Sequence, residues 1–508
     1  MAQQDRKPTA ENATMMQAFE WYVPADQKHW ARLRDAVAGL KATGIDNIWI
    51  PPGCKASSPQ GNGYDIYDLY DLGEFDQKGG KPTKWGSKEE LMQLVEKAQE
   101  VGMGIYWDAV LNHKAAADHK EKCQAQEVDP NDRLHKITGP YEIEGWLGFD
   151  FPGRGDEYST QKYHWYHFSG TDYNAANNKT AIYEILGENK HWSLSVDREK
   201  GNYDYLMFAD LDYAHPEVQD DVKRWGEWMG KEIKIKGIRF DAVKHFSEDF
   251  LKDFVQHLDQ TCGEGWFLVG EFWKDSTDDM LAYLQRMNHK FSLFDAPLVY
   301  NFSHISKTER ADLTKVFDNT LVKYEPYNAV TLVMNHDTQP YQALEASIEP
   351  FFKPLAYALI LLRSEGYPCI FYGDLYGIKG DHPFPPSCGG QLPTLCLARK
   401  LYAYGEQDDY FDAPNCIGWT RVGTWDRPYG CAVVMSNAGP NEKTMFVGAM
   451  HKGEVWTDVL GWEPSEVTID EQGNGLFPCP GLSVAVWVNK EAEGRDRFGK
   501  FDANVYNE

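Results

Sequence analysis

Short apolar runs alternate with longer amphipathic segments along most of this chain. The runs are rich in β-branched and aromatic residues, which is typical of strands buried in a parallel sheet. The segments between them repeat their apolar residues at helical spacing and predict helices that cover such a sheet. The predicted strands are Met15–Trp21, Ile45–Ile50, Gly104–Asp108, Gly237–Asp241, Phe267–Glu271, Ser292–Phe294, Val330–Met334 and Pro368–Phe371. The predicted helices include Ser87–Val101, Pro216–Ile233, Glu248–Gln260 and Phe351–Glu365.

Strands that alternate with helices in this number predict a (β/α)8 barrel. A doubly wound open sheet is the alternative, but such a sheet does not usually need eight parallel strands. We therefore expect an α/β protein with a TIM barrel that covers residues 1–111 and 215–404.

Two parts of the chain depart from this alternation. Residues 112–214 are rich in Gly, Tyr, Trp and Asn with little helical period, and a segment of that length is either functional or a small domain. We interpret it as an irregular β-rich insertion after the third strand. Residues 405–490 consist of short strands with Gly, Asn and Pro turns, which predicts a C-terminal antiparallel β-sandwich. Residues 491–508 form a polar tail that we expect to be loosely ordered.

The charge balance excludes some partners. Lys and Arg number 51 against 77 Asp and Glu, so the formal net charge is −26. Proteins that bind nucleic acid need a basic surface, and none is expected here. No apolar run approaches the roughly 20 residues that span a bilayer, so we expect no membrane partner either.

The location of the protein is predicted from its N-terminus and its cysteines. The first residues contain no apolar stretch of the secretory type. Nine cysteines without a CxxC pair favour reduced thiols inside a cell over a disulfide framework. We therefore expect a cytoplasmic protein, and a monomer.

Acidic residues recur at the ends of the predicted strands. Asp108 closes the third strand, Asp241 the fourth and Glu271 the fifth, while Asp337 follows the seventh. A barrel places its reacting groups at this end of its strands. One such acid is weak evidence, since Asp is common in turns. Four of them, with His, Arg and Lys beside them, favour an active site.

Paired carboxylates without a Ser or Cys nucleophile motif indicate cleavage of glycosidic bonds. Asp241 is the candidate nucleophile, and Arg239, two residues earlier, is expected to keep it ionised. Glu271 is the candidate general acid because Phe272 and Trp273 follow it, and apolar surroundings raise the pKa of a carboxyl group. No HExxH zinc motif, Walker motif or GxGxxG loop after a strand is found.

These clusters resemble the conserved regions of glycoside hydrolase family 13, and the match is close to its liquefying α-amylases. The resemblance extends from about Met15 to Val488. The motifs that carry it are MQAFEWY (16–22), DAVLNH (108–113), GIRFDAVKH (237–245), GEFW (270–273), NHD (335–337) and GYPCIFYGDLYG (366–377). The family implies a barrel, an inserted domain and a C-terminal sandwich. It also implies endo-acting hydrolysis of internal α-1,4-glucosidic bonds in starch, glycogen or maltodextrins, with retention of configuration.

The resemblance assigns roles to individual residues. Asp241 matches the nucleophile, Glu271 the acid/base and Asp337 the stabiliser of the transition state. The substrate contacts that we expect are Arg239, His113, His336, Tyr64, Lys244 and Trp273, the last because it lies in a motif loop.

The family also implies a Ca²⁺ ion. Its expected ligands are Asn112, Asp204, Asp210 and the backbone carbonyl of His245. Oxygen ligands of this mixed type suit calcium rather than zinc. Taken alone, Asp204 and Asp210 could be simple loop caps. The remaining histidines, such as His164 and His167, are interpreted as packing residues rather than ligands.

Two other functions remain open at this point. An α-glucanotransferase could use the same scaffold, because it passes the same glycosyl group to a sugar instead of water. A non-catalytic glucan-binding member of the family is the second alternative. Such members usually lose one of the three acids, whereas this chain retains all three.

Overall fold

Eight parallel strands close into a barrel at the centre of the protein, whose computed structural model describes residues 7–506. Helices cover the outer face of these strands and the packed interior of the barrel buries the inner face, which explains why the strands read as continuous apolar runs. The predicted fold class is confirmed. In chain order the barrel strands are Met15–Gln17, Asn47–Trp49, Gly104–Ala109, Gly237–Phe240, Phe267–Gly270, Ser292–Phe294, Ala329–Leu332 and Tyr367–Phe371.

Helices surround the barrel, and several begin at the caps that their sequences predict. Ser87 and Glu90 form a capping box, in which each side chain accepts a hydrogen bond from the backbone N–H of the other. Ser247 caps the helix after the fourth strand in the same way, by accepting from the N–H of Phe250 at 3.2 Å. The α-helices are His29–Ala42, Lys88–Glu100, Pro216–Glu232, Glu248–Cys262, Thr277–Arg286, Ala296–Lys307, Leu321–Tyr324, Lys353–Leu361, Tyr372–Tyr376 and Leu392–Tyr402. Short 3₁₀ turns cover Trp165–His167, Leu313–Lys315, Cys388–Gly390, Ala449–His451 and Arg495–Arg497.

The segment after the third barrel strand contains a six-stranded antiparallel sheet, which we call the inserted sheet. Its register shifts at Thr180/Tyr183, at Asp210/Leu211 and at His119/Lys120, so the sheet is irregular at those points. From one edge to the other its strands are His113–Lys114, Ala209–Leu211, Phe168–Asn174, Lys179–Leu186, His119–Val128 and Tyr141–Gly148. A separate pair, Lys55–Ala56 with Ile66–Asp68, lies earlier in the chain.

The C-terminal part is antiparallel, as predicted. A two-stranded sheet and a six-stranded sheet share a buried apolar cluster that includes Met445, Phe477, Trp456 and Trp487. The six strands are, in spatial order, Gln407–Ala413, Cys416–Arg421, Cys431–Ser436, Ser483–Asn489, Val455–Asp458 and Glu466–Thr468, and the two are Asn441–Phe446 and Asn474–Cys479. The exact limits predicted for the three domains stay predictions, and their outermost residues, 1–6 and 507–508, lie outside the described part.

The polar tail differs from the expected loose segment. Phe498, Phe501, Val505 and Tyr506 pack against the buried core, and the hydroxyl of Tyr506 lies 3.2 Å from that of Tyr372. The tail is polar overall, and its composition therefore does not predict that these four apolar side chains pack against the core. Their packing offsets the conformational entropy that the tail loses when it becomes ordered. Among residues 7–506, no helix is long and apolar enough to cross a membrane.

Candidate active site

The fourth barrel strand brings the two main acids together. It pairs in parallel with the third and the fifth strands, so that Phe240 lies opposite both Ala109 and Gly270. Asp241 and Glu271 are the residues that follow, and both therefore lie at the same edge of the barrel. Their backbone N–H groups continue the sheet, since Asp241 donates to the carbonyl of Ala109 at 3.1 Å and Glu271 to that of Phe240 at 2.9 Å.

One arginine holds three carboxylates at this edge. Arg239 is only 1% exposed, and its Nη1 donates to Asp108 Oδ1 and to Asp241 Oδ1, both at 2.7 Å. Its Nη2 donates to Glu271 Oε2 at 2.8 Å. A planar guanidinium fixes the direction of each of these bonds. The two acids predicted to react are therefore held on neighbouring nitrogens of one rigid group.

The turn after Asp241 adds a second link between the acids. Ala242 has a φ of 50°, a left-handed conformation that costs a non-glycine residue about 1–3 kcal/mol. This turn directs the N–H of Ala242 to Glu271 Oε2 at 3.0 Å. Both hydrogen bonds to Glu271 thus end on Oε2, and Oε1 is the oxygen available to carry a proton.

The cluster carries more negative than positive charge. Burial raises the pKa of Asp241, and the charges of Glu271, Asp108 and Asp337 raise it further, while Arg239 opposes them. Burial also raises the pKa of Asp108 and of Asp337. Asp241, Asp108 and Asp337 therefore bind protons at a higher pH than exposed carboxylates would, and Arg239 is the cation that keeps the buried carboxylates ionised.

His336 is a neutral donor beside the third acid. The amide of Gln17 donates to its Nδ1 at 3.0 Å, which places the ring proton on Nε2, 3.4 Å from Asp337 Oδ2. Burial and the charge of Arg239 lower the pKa of His336 to about 3. His336 therefore stays uncharged at neutral pH.

Tyr64 provides an aromatic surface next to the acids. Its ring stacks on His336 at 4.9 Å and on Trp21 at 6.0 Å between centroids, with interplanar angles of 8° in both cases. Its hydroxyl donates to Asp108 Oδ2 at 2.8 Å, which fixes the ring. A flat, half-buried ring of this kind can pack against the apolar face of a sugar.

Three other predicted substrate contacts use their polar atoms within the protein. His113 donates from Nε2 to the carbonyl of Tyr64 at 2.8 Å, with its pKa lowered to about 4 by burial. The indole N–H of Trp273 donates to the hydroxyl of Tyr300 at 2.9 Å, and Lys244 donates to the carbonyl of Trp273 at 3.2 Å. Their contacts with substrate stay predictions.

Asp108 is the site residue to which the sequence assigned no role. It is 1% exposed, and besides Arg239 and Tyr64 it accepts a hydrogen bond from the indole of Trp49 at 2.8 Å. Its position at a strand end in the DAVLNH motif was the available signal. Asp108 positions both the arginine and the aromatic surface.

Two of the predicted calcium ligands, Asn112 and Asp210, are in contact where the inserted sheet joins the barrel. Asn112 directly precedes the strand His113–Lys114, which pairs with the strand that contains Asp210. The amide of Asn112 donates to Asp210 Oδ1 at 3.1 Å. Asp204 accepts from the backbone N–H of Ser193 at 2.8 Å.

This donor set fits a cation. Burial raises the pKa of Asp204 to about 7, and burial together with the charge of Asp204 raises that of Asp210 well above its usual value. The side-chain oxygen of Asn112 is buried without a hydrogen-bond partner. Buried acceptors that lack donors are costly unless an ion satisfies them. His245, whose carbonyl is the fourth expected ligand, is also buried and is held by a contact of 2.9 Å between its Nδ1 and the carbonyl of Tyr203.

A parallel barrel with paired carboxylates at its strand ends is the arrangement of a retaining glycoside hydrolase. The sequence model described as "Alpha amylase, catalytic domain" matches residues 33–400. The chain therefore belongs to the α-amylase family.

Individual proteins are similar over nearly their whole length. The glucan 1,4-alpha-maltohexaosidase of Bacillus sp. (strain 707) is 46% identical over 484 residues, which cover 94% of this chain and 93% of that protein. The cytoplasmic alpha-amylase of Escherichia coli (strain K12) is 42% identical over 492 residues, which cover 94% and 99%. Among solved structures, the alpha-amylase of Geobacillus thermoleovorans complexed with acarbose shares the fold, with a TM-score of 0.62, 18% identity and coverage of 95% and 98%.

Proposed function

We propose that this α-amylase is endo-acting and hydrolyses internal α-1,4-glucosidic bonds of starch, glycogen or maltodextrins with retention of configuration. Relatives named as α-amylases with 42–45% identity over 94% of the chain support this activity. The observation that carries the mechanism is the bridge from Arg239 to Asp241 and Glu271. Adjacent strands lie about 4.8 Å apart, which is close to the roughly 5–5.5 Å between the carboxyl groups of a retaining pair.

In the first step, Asp241 attacks the anomeric carbon of the sugar. Its Oδ1 is held by Arg239, so Oδ2 is the oxygen free to form the bond. Glu271 donates its proton from Oε1 to the glycosidic oxygen as the bond from that oxygen to the anomeric carbon breaks. The product of this step is a covalent glycosyl ester on Asp241.

In the second step, Glu271 takes a proton from water, and the water oxygen attacks the anomeric carbon and releases Asp241. Two inversions give net retention. We assign Asp337 and His336 to the sugar hydroxyls, where they favour the distorted ring, and Tyr64 to stacking on the same sugar. His113, Lys244 and Trp273 are proposed as further substrate contacts.

Hydrolysis is favoured over glucan transfer. The 4-alpha-glucanotransferase of Thermotoga maritima is 25% identical over 431 residues, well below the 42–45% identity to the α-amylases of Geobacillus stearothermophilus, Bacillus licheniformis and E. coli. The chain also retains all three acids, which does not favour a purely glucan-binding role.

A single time course of iodine staining and reducing ends with soluble starch distinguishes these functions. We expect iodine staining to fall early while reducing ends rise in proportion to the bonds cut, because an endo-acting enzyme shortens chains from within. The Glu271→Gln variant serves as the blank. Rearranged chain lengths without new reducing ends would instead identify a transferase, and starch binding without any change would identify a binder.

We further propose that Asn112, Asp204, Asp210 and the carbonyl of His245 hold one Ca²⁺ ion. The unpartnered oxygen of Asn112 and the two buried carboxylates support this assignment. When bound, the ion supplies the positive charge that these carboxylates lack.

Calcium is therefore expected to stabilise the fold. At a free calcium concentration of about 1,000 times the dissociation constant, the gain in unfolding free energy is about 4 kcal/mol. Thermal unfolding, followed by circular dichroism with calcium or with a calcium chelator, measures this gain. Asp210→Asn should remove most of it, whereas Asp129→Asn, on the same inserted segment, should not. An identical unfolding temperature of the wild type in both conditions would contradict the site.

We propose that the protein acts in the cytoplasm as a monomer. The E. coli relative is named a cytoplasmic α-amylase, which supports the location.

A further inference from the structure

Two histidines and a glutamate converge on the inserted sheet, outside the residues of the active site. His119 begins the strand His119–Val128, and the side chain of Glu121, two residues later, lies in contact with the ring of His119. His164 directly precedes the turn Trp165–His167. One ligand atom from each of the three residues lies within 4.8 Å of the others. We propose that this cluster, which we call the His119 site, binds a divalent transition-metal ion of the zinc class.

Glu121 is already oriented as a ligand. Its Oε2 accepts the backbone N–H of Trp165 at 2.7 Å. Its Oε1 lies 2.7 Å from His164 Nδ1 and 3.2 Å from His119 Nε2. A tetrahedral zinc ion with bonds of about 2.0–2.1 Å separates its ligand atoms by about 3.3 Å. The two contacts of Glu121 Oε1 therefore differ from this separation by about 0.6 and about 0.1 Å, and the third pair, the two imidazole nitrogens, lies within 4.8 Å.

His119 has the outer partner that metal-binding histidines use. Its Nδ1 lies 3.3 Å from Asp150 Oδ2. A proton on Nδ1 that is donated to this carboxylate leaves the lone pair of Nε2 free for the metal. The same contact fixes the plane of the ring.

The backbone makes room for this ring. The register of the sheet shifts between His119 and Lys120, and such a bulge redirects a side chain. His119 lies opposite Gly148, where a Cβ atom would stand 2.2 Å from His119 Nε2. Any larger residue than glycine at position 148 would displace the metal-binding nitrogen.

The ligand types select the metal. Two imidazoles and one carboxylate form a set that zinc accepts, with a fourth position left for water. Calcium and magnesium prefer oxygen ligands only, so the ion proposed for Asn112 does not compete here. The side chains of His119 and His164 are 43% and 35% exposed, which gives the ion a path from solvent.

A neighbouring cluster of His167, His215 and Glu217 does not offer the same chemistry. Nδ1 of His167 accepts the backbone N–H of His164 at 2.9 Å, so its proton lies on Nε2, which faces Glu217 at 2.9 Å. Binding a metal through Nε2 would require the loss of that proton while Nδ1 remains occupied. At the His119 site the proton of His164 can instead lie on Nε2, which leaves the lone pair of Nδ1 for the metal.

Zinc titration of the calcium-loaded full chain, freed of transition metals, tests the proposal. We expect isothermal calorimetry to show one equivalent of zinc bound with a dissociation constant in about the micromolar range or below. Cobalt alone should give the intense visible absorption of a tetrahedral site. His119→Ala and His164→Ala should remove this binding. Gly148→Ala retains every ligand but should weaken binding at least about 10-fold by displacing His119, and Asp150→Asn should weaken it about 10- to 100-fold.

Two variants serve as controls. His257→Ala removes an ordinary surface pair, in which His257 Nε2 lies 2.8 Å from Glu227, and should bind zinc like the wild type. His215→Ala tests the neighbouring cluster and should also bind normally. The proposal is wrong if the wild type takes up no zinc, if His119→Ala and Gly148→Ala bind it unchanged, or if His215→Ala alone loses it. Unfolding temperatures of all variants show whether each is folded, and His119→Gln replaces any alanine variant that is not.

Discussion

Asp241→Asn is expected to lower kcat on starch by at least about 10⁴-fold, because it removes the nucleophile. Glu271→Gln is expected to lower it by about 10²- to 10⁴-fold, because the leaving oxygen then departs without a proton. Neither amide should lower the unfolding temperature by more than a few degrees, since each removes a negative charge from a cluster with an excess of them. Steady-state rates and thermal unfolding measure both effects.

The stereochemistry of rescue separates the two roles. With an α-maltosyl fluoride and azide, Glu271→Ala should give the α-glycosyl azide, since azide attacks the ester on Asp241 from the face that the leaving group vacated. Asp241→Ala should give the β-glycosyl azide, because azide then takes the place of the nucleophile. Asp108→Asn alters a carboxylate on the same arginine and should show no rescue. A β-glycosyl azide from Glu271→Ala and an α-glycosyl azide from Asp241→Ala would show that each residue has the role assigned to the other.

Arg239→Met is expected to destabilise the fold by about 3–5 kcal/mol at neutral pH. Arg239 is the cation to which Asp108, Asp241 and Glu271 are all bonded, and its loss leaves buried charge uncompensated. Activity should be lost as well, since the acids lose their fixed positions. Urea unfolding measures the stability.

The stability that Arg239→Met loses depends on pH, and the pKa shifts of the acids give the direction. Burial raises the pKa of Asp241 and of Asp108, and Arg239 opposes the shift in both, so its removal raises these values further. The folded variant then binds more protons than the unfolded chain, whose carboxyl pKa values lie near about 4. Stability therefore falls as the pH rises from that value through the raised values, and the variant should be closest to the wild type in acid.

Arg421→Met is the matched control. Arg421 is also buried, but its hydrogen bonds in the described structure go to the carbonyl of Gly405. Its loss should reduce stability by a similar amount at about pH 5 and about pH 8, since no carboxylate is left unpaired. The account is contradicted if the loss of unfolding free energy in Arg239→Met, relative to the wild type, does not grow with pH. The guanidinium would then not balance the charge of the acids.

The barrel could be predicted because buried parallel strands appear in the sequence as short, continuous apolar runs. The apolar run Ser292–Phe294, for example, has the same limits as the strand in the structure. Asp241 and Glu271 could be brought together from sequence for a related reason, since each follows directly after one of two adjacent strands. The register of the two strands alone places Asp241 and Glu271 close together, and no side-chain conformation has to be known.

Contacts that depend on side-chain direction could not be predicted. Nothing in the spacing of Asp108 shows that it binds Arg239 and Tyr64 at once, because these residues come from three separate parts of the chain. His119 and His164 are separated by more than forty positions and meet only through the pairing of the inserted sheet. The sequence alone therefore favours a packing role for His164.

The central claim is that Asp241 forms the covalent intermediate, and trapping tests it most directly. A 5-fluoro-α-maltosyl fluoride should accumulate as an ester, because the ring fluorine slows both steps while the good leaving group preserves the first. Digestion and mass spectrometry should place the added sugar on the peptide that contains Asp241, and Asp241→Asn should remain unlabelled. A sugar found on Glu271, or turnover of the reagent by Asp241→Asn at the rate of the wild type, would contradict the account.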